Sequence, residues 1–304
     1  MLLQITNNCD NSCPHCLQSC VGPKNNEHMS QGVFHNSLAL FRKLGANILI
    51  ISGGEPTLHP KWAEWVREAL GSALHVGIAS NGNWLIPETH ALIAEAIVDL
   101  IRENKGRLSV QICSDPVWYP NHESVVAGYK RFTERFPDAA EYVILETKVE
   151  HMLSLGRAAS NPDCLELAKK DKTSTTSCVV GALVSAQTDF ETAVRMLEAR
   201  GHFCKPSIDW EGGIHWSESH LCPEFFKLPS HLAMDDAMFD QIAEDAHEWR
   251  PCGKCADYKK LINNNYPKYV IAKTILGILD VEAACTGTQG VQNDQINNSS
   301  LGPN

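Results

Sequence analysis

Short apolar runs alternate with helical segments through the first 200 residues of this 304-residue chain. The run at 47–52 (Asn-Ile-Leu-Ile-Ile-Ser) is almost continuously apolar, which is typical of a parallel strand covered on both faces. The segment after Pro60 instead spaces its tryptophans and aliphatic residues at helical intervals. This repeated change of period predicts parallel strands with covering helices.

The predicted elements form a regular series up to residue 200. Predicted strands lie at 2–6, 47–52, 75–80, 107–113, 141–148 and 178–184, and predicted helices at 34–43, after Pro60, at 87–102, 125–136 and 190–200. About six repeats favour a partial barrel over a complete eight-fold one. An open doubly wound sheet has the same rhythm and remains an alternative.

The pattern changes after residue 200. A glycine turn at Gly212-Gly213 joins two short strand-like runs into a predicted hairpin, and helices are predicted at 235–249 and about 266–279. Residues 287–304 are rich in Gln, Asn, Ser and Gly, which is typical of a disordered tail. We therefore predict a barrel at 1–200, a small α+β extension at 201–286 and a tail at 287–304.

Charge and cysteine content narrow the function classes. The net charge of −10 argues against broad binding to nucleic acid, which needs a basic surface. The first residues do not resemble a secretory signal and no apolar run reaches the length of a membrane span, so we expect a soluble, cytoplasmic protein. Twelve cysteines in a reducing compartment point to metal or cluster ligation rather than to disulfides.

Cys9, Cys13 and Cys16 form a C-x₃-C-x₂-C loop directly after the first predicted strand. Thiolates are soft ligands that suit iron–sulfur clusters or zinc. Three of them in one loop can hold three irons of a cubane cluster and leave the fourth iron open to a small molecule. A structural zinc loop and a fortuitous spacing remain the alternatives at this point.

A second motif, Ser52-Gly53-Gly54-Glu55-Pro56, stands at the end of the second strand, and Ser80-Asn81-Gly82 ends the third. Paired glycines at the carboxyl end of a strand allow the backbone to approach a ligand closely. Active sites of barrels lie at that end of the strands. On its own, however, a Gly-Gly-Glu-Pro sequence indicates little, because Gly and Pro are common in turns and loops.

In this order, the motifs resemble those of the radical S-adenosylmethionine (SAM) superfamily over residues 1–160. The resemblance implies a partial (β/α)₆ TIM-like barrel with a [4Fe–4S] cluster on Cys9, Cys13 and Cys16. It also implies an oxidoreductase or maturase that cleaves SAM reductively to a 5′-deoxyadenosyl radical, which abstracts hydrogen from a substrate. A flavodoxin or ferredoxin would supply the electron.

The resemblance further implies a set of SAM contacts. The methionyl end would lie against Gly53, Gly54, Glu55 and Pro56, mainly against their backbone, and Ser80 and Asn81 would approach the methionyl or ribose groups. His15 would lie near the adenine, or else be a surface histidine. Arg157 would meet a carboxylate or ribose with its planar fork, or else be a surface arginine.

The fourth strand adds candidates from its own pattern. Ser109, Gln111 and Cys113 share one face, and this polar row predicts the lining of the barrel cavity. Asp115 follows at the end of the strand and joins Gln111 as a candidate cofactor contact. An edge strand with one solvated face is the alternative.

Four further cysteines, Cys204, Cys222, Cys252 and Cys255, gather in the last third of the chain. Four thiolates would saturate a second cluster or a zinc ion. The region loosely resembles the SPASM or twitch extensions of radical SAM enzymes, which implies one auxiliary [4Fe–4S] cluster, with zinc or no metal as alternatives. By the same analogy we expect a peptide or protein substrate.

Two other functional hypotheses stay open. A small metabolite or a nucleotide is the second candidate substrate class. A non-catalytic iron–sulfur or zinc-binding protein is the alternative outside enzymes.

Overall fold

The structure is a computed structural model that describes residues 1–20, 22, 26–149, 156–170, 207–215, 224–231 and 233–247. Its strands are β1 (Leu2–Gln4), β2 (Ile48–Ser52), β3 (His75–Ser80), β4 (Leu108–Cys113), β5 (Val143–Glu146), β6 (Ser207–Ile208), β7 (Gly213–His215) and β8 (Glu224–Lys227). Its helices are α1 (Gln31–Lys43), α2 (Trp62–Ser72), α3 (Pro87–Glu103), α4 (His122–Arg135), α5 (Pro137–Ala140), α6 (Pro162–Lys170) and α7 (Asp236–His247).

All described strands belong to one sheet in the order β5-β4-β3-β2-β1-β6-β7-β8. Neighbours from β5 to β1 pair in parallel, and their connections run through helices α1 to α4, as the strand–helix rhythm predicts. Strands β5 and β8 form the two edges, so the sheet is not closed into a barrel within the described part of the chain. The predicted α/β class with a parallel sheet is confirmed.

The predicted hairpin is also present, with an unexpected neighbour. Strands β6 and β7 pair antiparallel around Gly212, whose φ of +96° suits only glycine well. Strand β6 pairs in parallel with β1, so the hairpin continues the sheet on the far side of β1 from β2. The predicted strand at 178–184 and the helices at 190–200 and 266–279 lie outside the described residues.

Helices α1 and α2 show how the sequence places the core. Helix α1 begins after Ser30, whose hydroxyl oxygen accepts a hydrogen bond from the backbone N–H of Val33 at 3.3 Å. In α2 the residues at i, i+3, i+4, i+7 and i+8 are buried, as predicted: Trp62, Trp65, Val66, Ala69 and Leu70. The rings of Phe34 and Trp65 stack at 4.2 Å between the two helices.

Strand β2 departs from the expectation of burial on both faces. Leu49 and Ile51 are fully buried under the helices, whereas Ile48 is 53% exposed and Ile50 and Ser52 are half-buried. On this second face, Ser52 lines a cavity. No described helix is long and apolar enough to cross a membrane.

Candidate active site

The three-cysteine loop leaves β1 at the carboxyl ends of the parallel strands. Cys9 and Cys13 are buried and Cys16 is half-buried, and all three line one cavity of about 320 Å³. The loop turns by a hydrogen bond from the N–H of Cys16 to the carbonyl of Cys13 at 3.2 Å. Backbone N–H groups point at two of the sulfurs, from Asn11 to Cys9 and from Cys20 to Cys16, each at 3.4 Å.

The thiols differ in their acidity. Burial raises the pKa of Cys9 to about 12 and that of Cys13 to about 11. The pKa of Cys16 is lowered, chiefly because the side chain of Cys20 hydrogen-bonds to its sulfur. A metal that binds here must displace protons from Cys9 and Cys13, so its binding is coupled to pH.

Gly53 and Gly54 bring the end of β2 against the cysteine loop. The N–H groups of Gly54 and Glu55 donate to the carbonyls of Thr6 and Asn8, both at 2.8 Å. A Cβ atom on Gly54 would lie 2.3 Å from the carbonyl oxygen of Asn8, which no packing adjustment of a side chain can relieve. Both glycines also line the cavity. Their closest contact in this structure is therefore with the loop itself.

Glu55 is buried with its carboxylate turned towards β3. The two oxygens accept hydrogen bonds from the hydroxyl and N–H of Thr57, from the hydroxyl of Ser80 and from the N–H of Asn81, at 2.7 to 3.2 Å. Burial raises the pKa of Glu55 to about 7, against the lowering effect of these donors. Pro56 is buried behind it, at the start of a short 3₁₀ turn.

Ser80 and Asn81 lie in the wall of the cavity. The amide nitrogen of Asn81 donates to Asp10 at 2.7 Å and lies 3.7 Å from the sulfur of Cys9. This amide links the third strand to the cysteine loop, so both motifs meet at one place.

Asn11, which the sequence analysis did not single out, belongs to the same wall. Its side-chain oxygen accepts from the amides of Asn83 at 2.9 Å and Asn121 at 3.2 Å, which fixes the orientation of its amide group. The nitrogen, Nδ2, is then buried without a partner. The only signal in the sequence was the position of an amide inside the cysteine loop.

His15 also leaves a buried polar atom unpaired, its Nδ1. Its ring lies 5.0 Å from the ring of Tyr119 and 6.0 Å from that of Trp118, and burial lowers the pKa of His15. Half-buried in the cavity wall, it is not the exposed loop histidine of the alternative interpretation. Tyr119 lines the cavity too and was missed, since one tyrosine in a loop gives no pattern.

Gln111 and Asp115 are two predicted cofactor contacts that do not line this cavity. Gln111 shares its strand face with Cys113, which does line the cavity, but Gln111 is exposed lower on the sheet. The carboxylate of Asp115 accepts hydrogen bonds from the N–H groups of Val117 at 2.7 Å and Val149 at 2.8 Å. Asp115 therefore holds together the loops after β4 and β5.

Arg157 reaches the cysteine loop from the segment after β5. Its Nε donates to the carbonyl of Cys13 at 2.9 Å and one terminal nitrogen donates to the carbonyl of Cys20 at 2.6 Å. Its backbone N–H donates to the carbonyl of Cys16 at 2.9 Å. The sequence analysis gave two interpretations of Arg157, a ligand contact and a surface arginine. Neither of them included hydrogen bonds to the cysteine loop.

A second cavity, of about 570 Å³, adjoins the first at the ends of β4 and β5. His15, Cys113 and Tyr119 line both. Glu146 and Lys148, which the sequence left undecided between the barrel interior and solvent, are exposed and lie at its rim. Cys204, Cys222, Cys252 and Cys255 lie outside the described residues, so the second cysteine group stays a prediction.

Comparison with known proteins shows which family this part of the chain is similar to. Residues 3–112 match the family model described as the radical SAM superfamily. Over this range the chain is similar to radical SAM proteins. The matched range runs from β1 to β4 and includes the cysteine loop and both strand-end motifs.

Two curated relatives match about a third of the chain. Over 99 residues the chain is 30% identical to an S-adenosylmethionine-dependent nucleotide dehydratase of Thermoplasmatales archaeon (strain ISO4-H5). The aligned region covers 33% of this chain and 34% of that protein. Over 103 residues it is 31% identical to a tungsten-containing aldehyde ferredoxin oxidoreductase cofactor-modifying protein of Pyrococcus furiosus, covering 33% and 29%. The match spans about a third of each relative's length.

Solved structures resemble the chain more distantly. BtrN in complex with AdoMet and 2-DOIA aligns with a TM-score of 0.45 and 13% identity over 81% of this chain and 87% of that chain. Streptococcus suis SuiB bound to S-adenosylmethionine gives a TM-score of 0.44 and 15% identity, over 88% and 75%. Likeness at this level does not carry a ligand or a substrate over to this chain.

The residues that line the first cavity fit a cluster. Three sulfurs face one cavity, as a cubane bound through three of its irons requires. No three His, Cys, Asp or Glu side chains among the described residues are close enough to hold a single metal ion. Two residues of this cavity, Asn11 and His15, each have a buried side-chain nitrogen without a partner, for which a bound group could supply a hydrogen bond.

Proposed function

We propose that this protein is a radical SAM enzyme whose [4Fe–4S] cluster is held by Cys9, Cys13 and Cys16. When bound, the cluster would pass one electron to SAM and release a 5′-deoxyadenosyl radical that abstracts hydrogen from the substrate. The observation that carries the proposal is that the three thiols share one cavity with the ends of β2 and β3. The open iron and its ligand would lie between these segments.

Each cavity residue then has a task in the proposed site. Gly53 and Gly54 keep the wall free of side chains so that the methionyl end of SAM can lie close to the backbone. Asn81 and Ser80 offer polar groups for the methionyl or ribose part. Tyr119 and His15 present ring surfaces, which suit a purine, and burial around them excludes water that would quench a radical.

An anaerobic assay tests the proposal. Reconstituted protein given dithionite and SAM should form 5′-deoxyadenosine and methionine, and Cys13→Ala should reduce both products to background. Cys164→Ala is the matched control, because Cys164 is also buried but lies outside the cavity. If the wild type binds iron and forms no 5′-deoxyadenosine, the chain is a non-catalytic iron–sulfur protein and the proposal is wrong.

We further propose an auxiliary [4Fe–4S] cluster on Cys204, Cys222, Cys252 and Cys255. The support is the chemistry of four thiols in one region of the sequence, two of them in a tight C-x₂-C pair. Iron counted per chain should fall by about four atoms in Cys252→Ala/Cys255→Ala if that cluster disappears whole. Equal iron contents would exclude the auxiliary cluster, and zinc in its place would show in the same elemental analysis.

The substrate class is a separate proposal. We infer a peptide or protein side chain that enters through the second cavity, beside the proposed radical site, with a flavodoxin or ferredoxin as electron donor. A nucleotide or small metabolite is the second candidate, because one matched relative is named a nucleotide dehydratase. Substrate raises the yield of 5′-deoxyadenosine over the slow background, so parallel incubations with nucleoside triphosphates and with peptides encoded beside the gene would separate the two classes.

We also propose that the protein works in the cytoplasm. Its many cysteines, with six in the described residues free of disulfide bonds, suit a reducing compartment.

A further inference from the structure

The contacts between Arg157 and the cysteine loop carry an inference beyond the proposed reaction. Three hydrogen bonds from this one residue end on carbonyl groups of Cys13, Cys16 and Cys20. The two that come from the guanidinium group cross 144 and 137 residues of sequence. The guanidinium group thus bridges two points of the loop, the carbonyl of Cys13 and the carbonyl of Cys20.

Gly156 shows that this contact is tightly packed. Its φ of +55° is in the left-handed region, and a Cβ atom there would lie 2.2 Å from the carbonyl oxygen of Leu17 and 2.5 Å from that of Cys16. A glycine is thus needed for the segment to approach the loop at all. The close approach places the guanidinium group of Arg157 in the wall of the cluster cavity.

The charge of Arg157 lies beside the proposed cluster ligands. It is a permanent cation, and Arg157 lines the same cavity as Cys9, Cys13 and Cys16. A fixed positive charge beside a cluster stabilises its reduced, more negative state, so it raises the reduction potential. Hydrogen bonds and charge therefore reach the cluster from one side chain by two separable routes.

We propose that Arg157 is a positioning residue that clamps the cysteine loop and raises the reduction potential of the cluster held there. This inference rests on the proposed [4Fe–4S] site, and it gives Arg157 a task different from binding SAM. It acts through the cysteines and through charge, and it does not need to touch SAM or substrate.

Two variants separate the routes. Arg157→Lys keeps the charge but cannot form the fork across two carbonyls, so iron release to a chelator should be several-fold faster while the midpoint potential stays near that of the wild type. Arg157→Gln also removes the charge. Its one-electron equilibrium should shift about tenfold towards the oxidised cluster, equivalent to about 59 mV, in a titration followed by electron paramagnetic resonance.

The matched control is Arg102→Gln, which removes an arginine that is 45% exposed and paired with Asp138. It should change neither iron release nor potential. The titration is done without SAM, so weaker binding of SAM by the variant cannot produce the shift. An Arg157 variant that melts at the wild-type temperature by circular dichroism but takes up no iron also supports the proposed clamp.

The inference is overturned if Arg157→Lys releases iron at the wild-type rate and Arg157→Gln keeps the wild-type potential. That result would leave the proposed function intact, because the wild type would still carry its cluster. Absence of a cluster from the wild type itself would instead overturn the proposed function. If Arg157→Gln does not fold, iron release from Arg157→Lys still decides about the clamp.

Discussion

The carboxyl group of Glu55 connects the end of β2 with the end of β3 through donors on Thr57, Ser80 and Asn81. Glu55→Gln would turn an amide N–H₂ towards at least one of these donors. We expect a decrease of about 1–3 kcal/mol in the free energy of unfolding, since a buried donor is left unpaired. Urea denaturation of the protein without metal measures this decrease.

The control for Glu55 is Glu103→Gln, which breaks an exposed pair with Arg67. Exposed pairs contribute at most about 1 kcal/mol, so the control should change the free energy of unfolding much less. If the two variants are equally stable, the buried network does not hold the strand ends together.

His59 makes the stability depend on pH. Its Nδ1 accepts from the N–H of Lys61 at 3.0 Å and its Nε2 donates to the carbonyl of Met29 at 3.3 Å, which requires the neutral ring. Burial lowers its pKa from 6.5 to about 4. The unfolded chain therefore binds more protons between these values, and stability decreases as the pH falls from about 6.5 to about 4, by at most about 3 kcal/mol.

Urea denaturation between pH 4 and pH 8 checks this slope. His59→Gln should be less stable at pH 8 but should flatten the acid part of the curve. His35→Gln, which changes an exposed histidine beside Glu68, should keep the wild-type slope. An unchanged slope in His59→Gln would show that other groups cause the acid sensitivity.

For single residues, the sequence predicted which residues belong to the site better than it predicted which groups they contact. The cysteine spacing and the strand-end glycines identified the residues of the cavity, because both patterns are local. The contacts of Asp115 with Val149 and of Arg157 with Cys13 join segments that are far apart in sequence. No local pattern records which backbone group such a side chain will reach, so a ligand contact was the natural expectation for both.

The close approach of β2 to the cysteine loop gives a prediction about elements. Gly54→Ala would place a Cβ atom 2.3 Å from the carbonyl oxygen of Asn8, where only a backbone shift can make room. We expect the loop to move away from the strand, with loss of iron binding and a lower melting temperature. Iron content after reconstitution and circular dichroism melting measure the two effects.

Gly71→Ala is the matched control, because nothing lies within 4 Å of the Cβ position of Gly71 in helix α2. Alanine favours a helix over glycine by up to about 1 kcal/mol, so this variant should melt at the wild-type temperature or above and bind iron normally. Normal iron binding by Gly54→Ala would contradict the packing argument.

Elements with a strong local pattern were predicted, whereas the pairing of β1 with β6 was not. Strands β2 to β5 and helices α1 to α4 lie where the apolar period indicated, with shifts of a few residues at their ends. The pairing of β1 with β6 joins Leu3 to Ile208 across some two hundred residues. A strand of two or three residues is too short for its sequence pattern to specify the neighbouring strand. The pairing of β1 with β6 depends instead on the packing of the whole sheet.

Residues on the two sides of the predicted boundary at residue 200 contact one another. Asn36 of α1 donates to the carbonyl of Pro229 at 3.1 Å and accepts from the N–H of Met234 at 3.3 Å. Lys43 pairs with Asp240 of α7 at 2.6 Å. Several residues after 200 belong to the main core: Ile208, Ile214, Leu228, Phe239 and Ile242.

A chain that ends at residue 200 should therefore not fold as the predicted barrel alone. Burial of an aliphatic or aromatic side chain contributes about 1.5–3 kcal/mol, so five of them contribute as much as the whole stability of a typical domain, about 5–15 kcal/mol. Strand β1 would also be without its neighbour β6 and become an open edge, which favours aggregation.

A chain of residues 1–286 is the control, because it lacks only the predicted tail and should melt cooperatively like the full chain. Circular dichroism melting and size-exclusion chromatography compare the three lengths, and a cooperative, monomeric 1–200 fragment would show that the core of the first 200 residues is sufficient, with the later residues only docked on it.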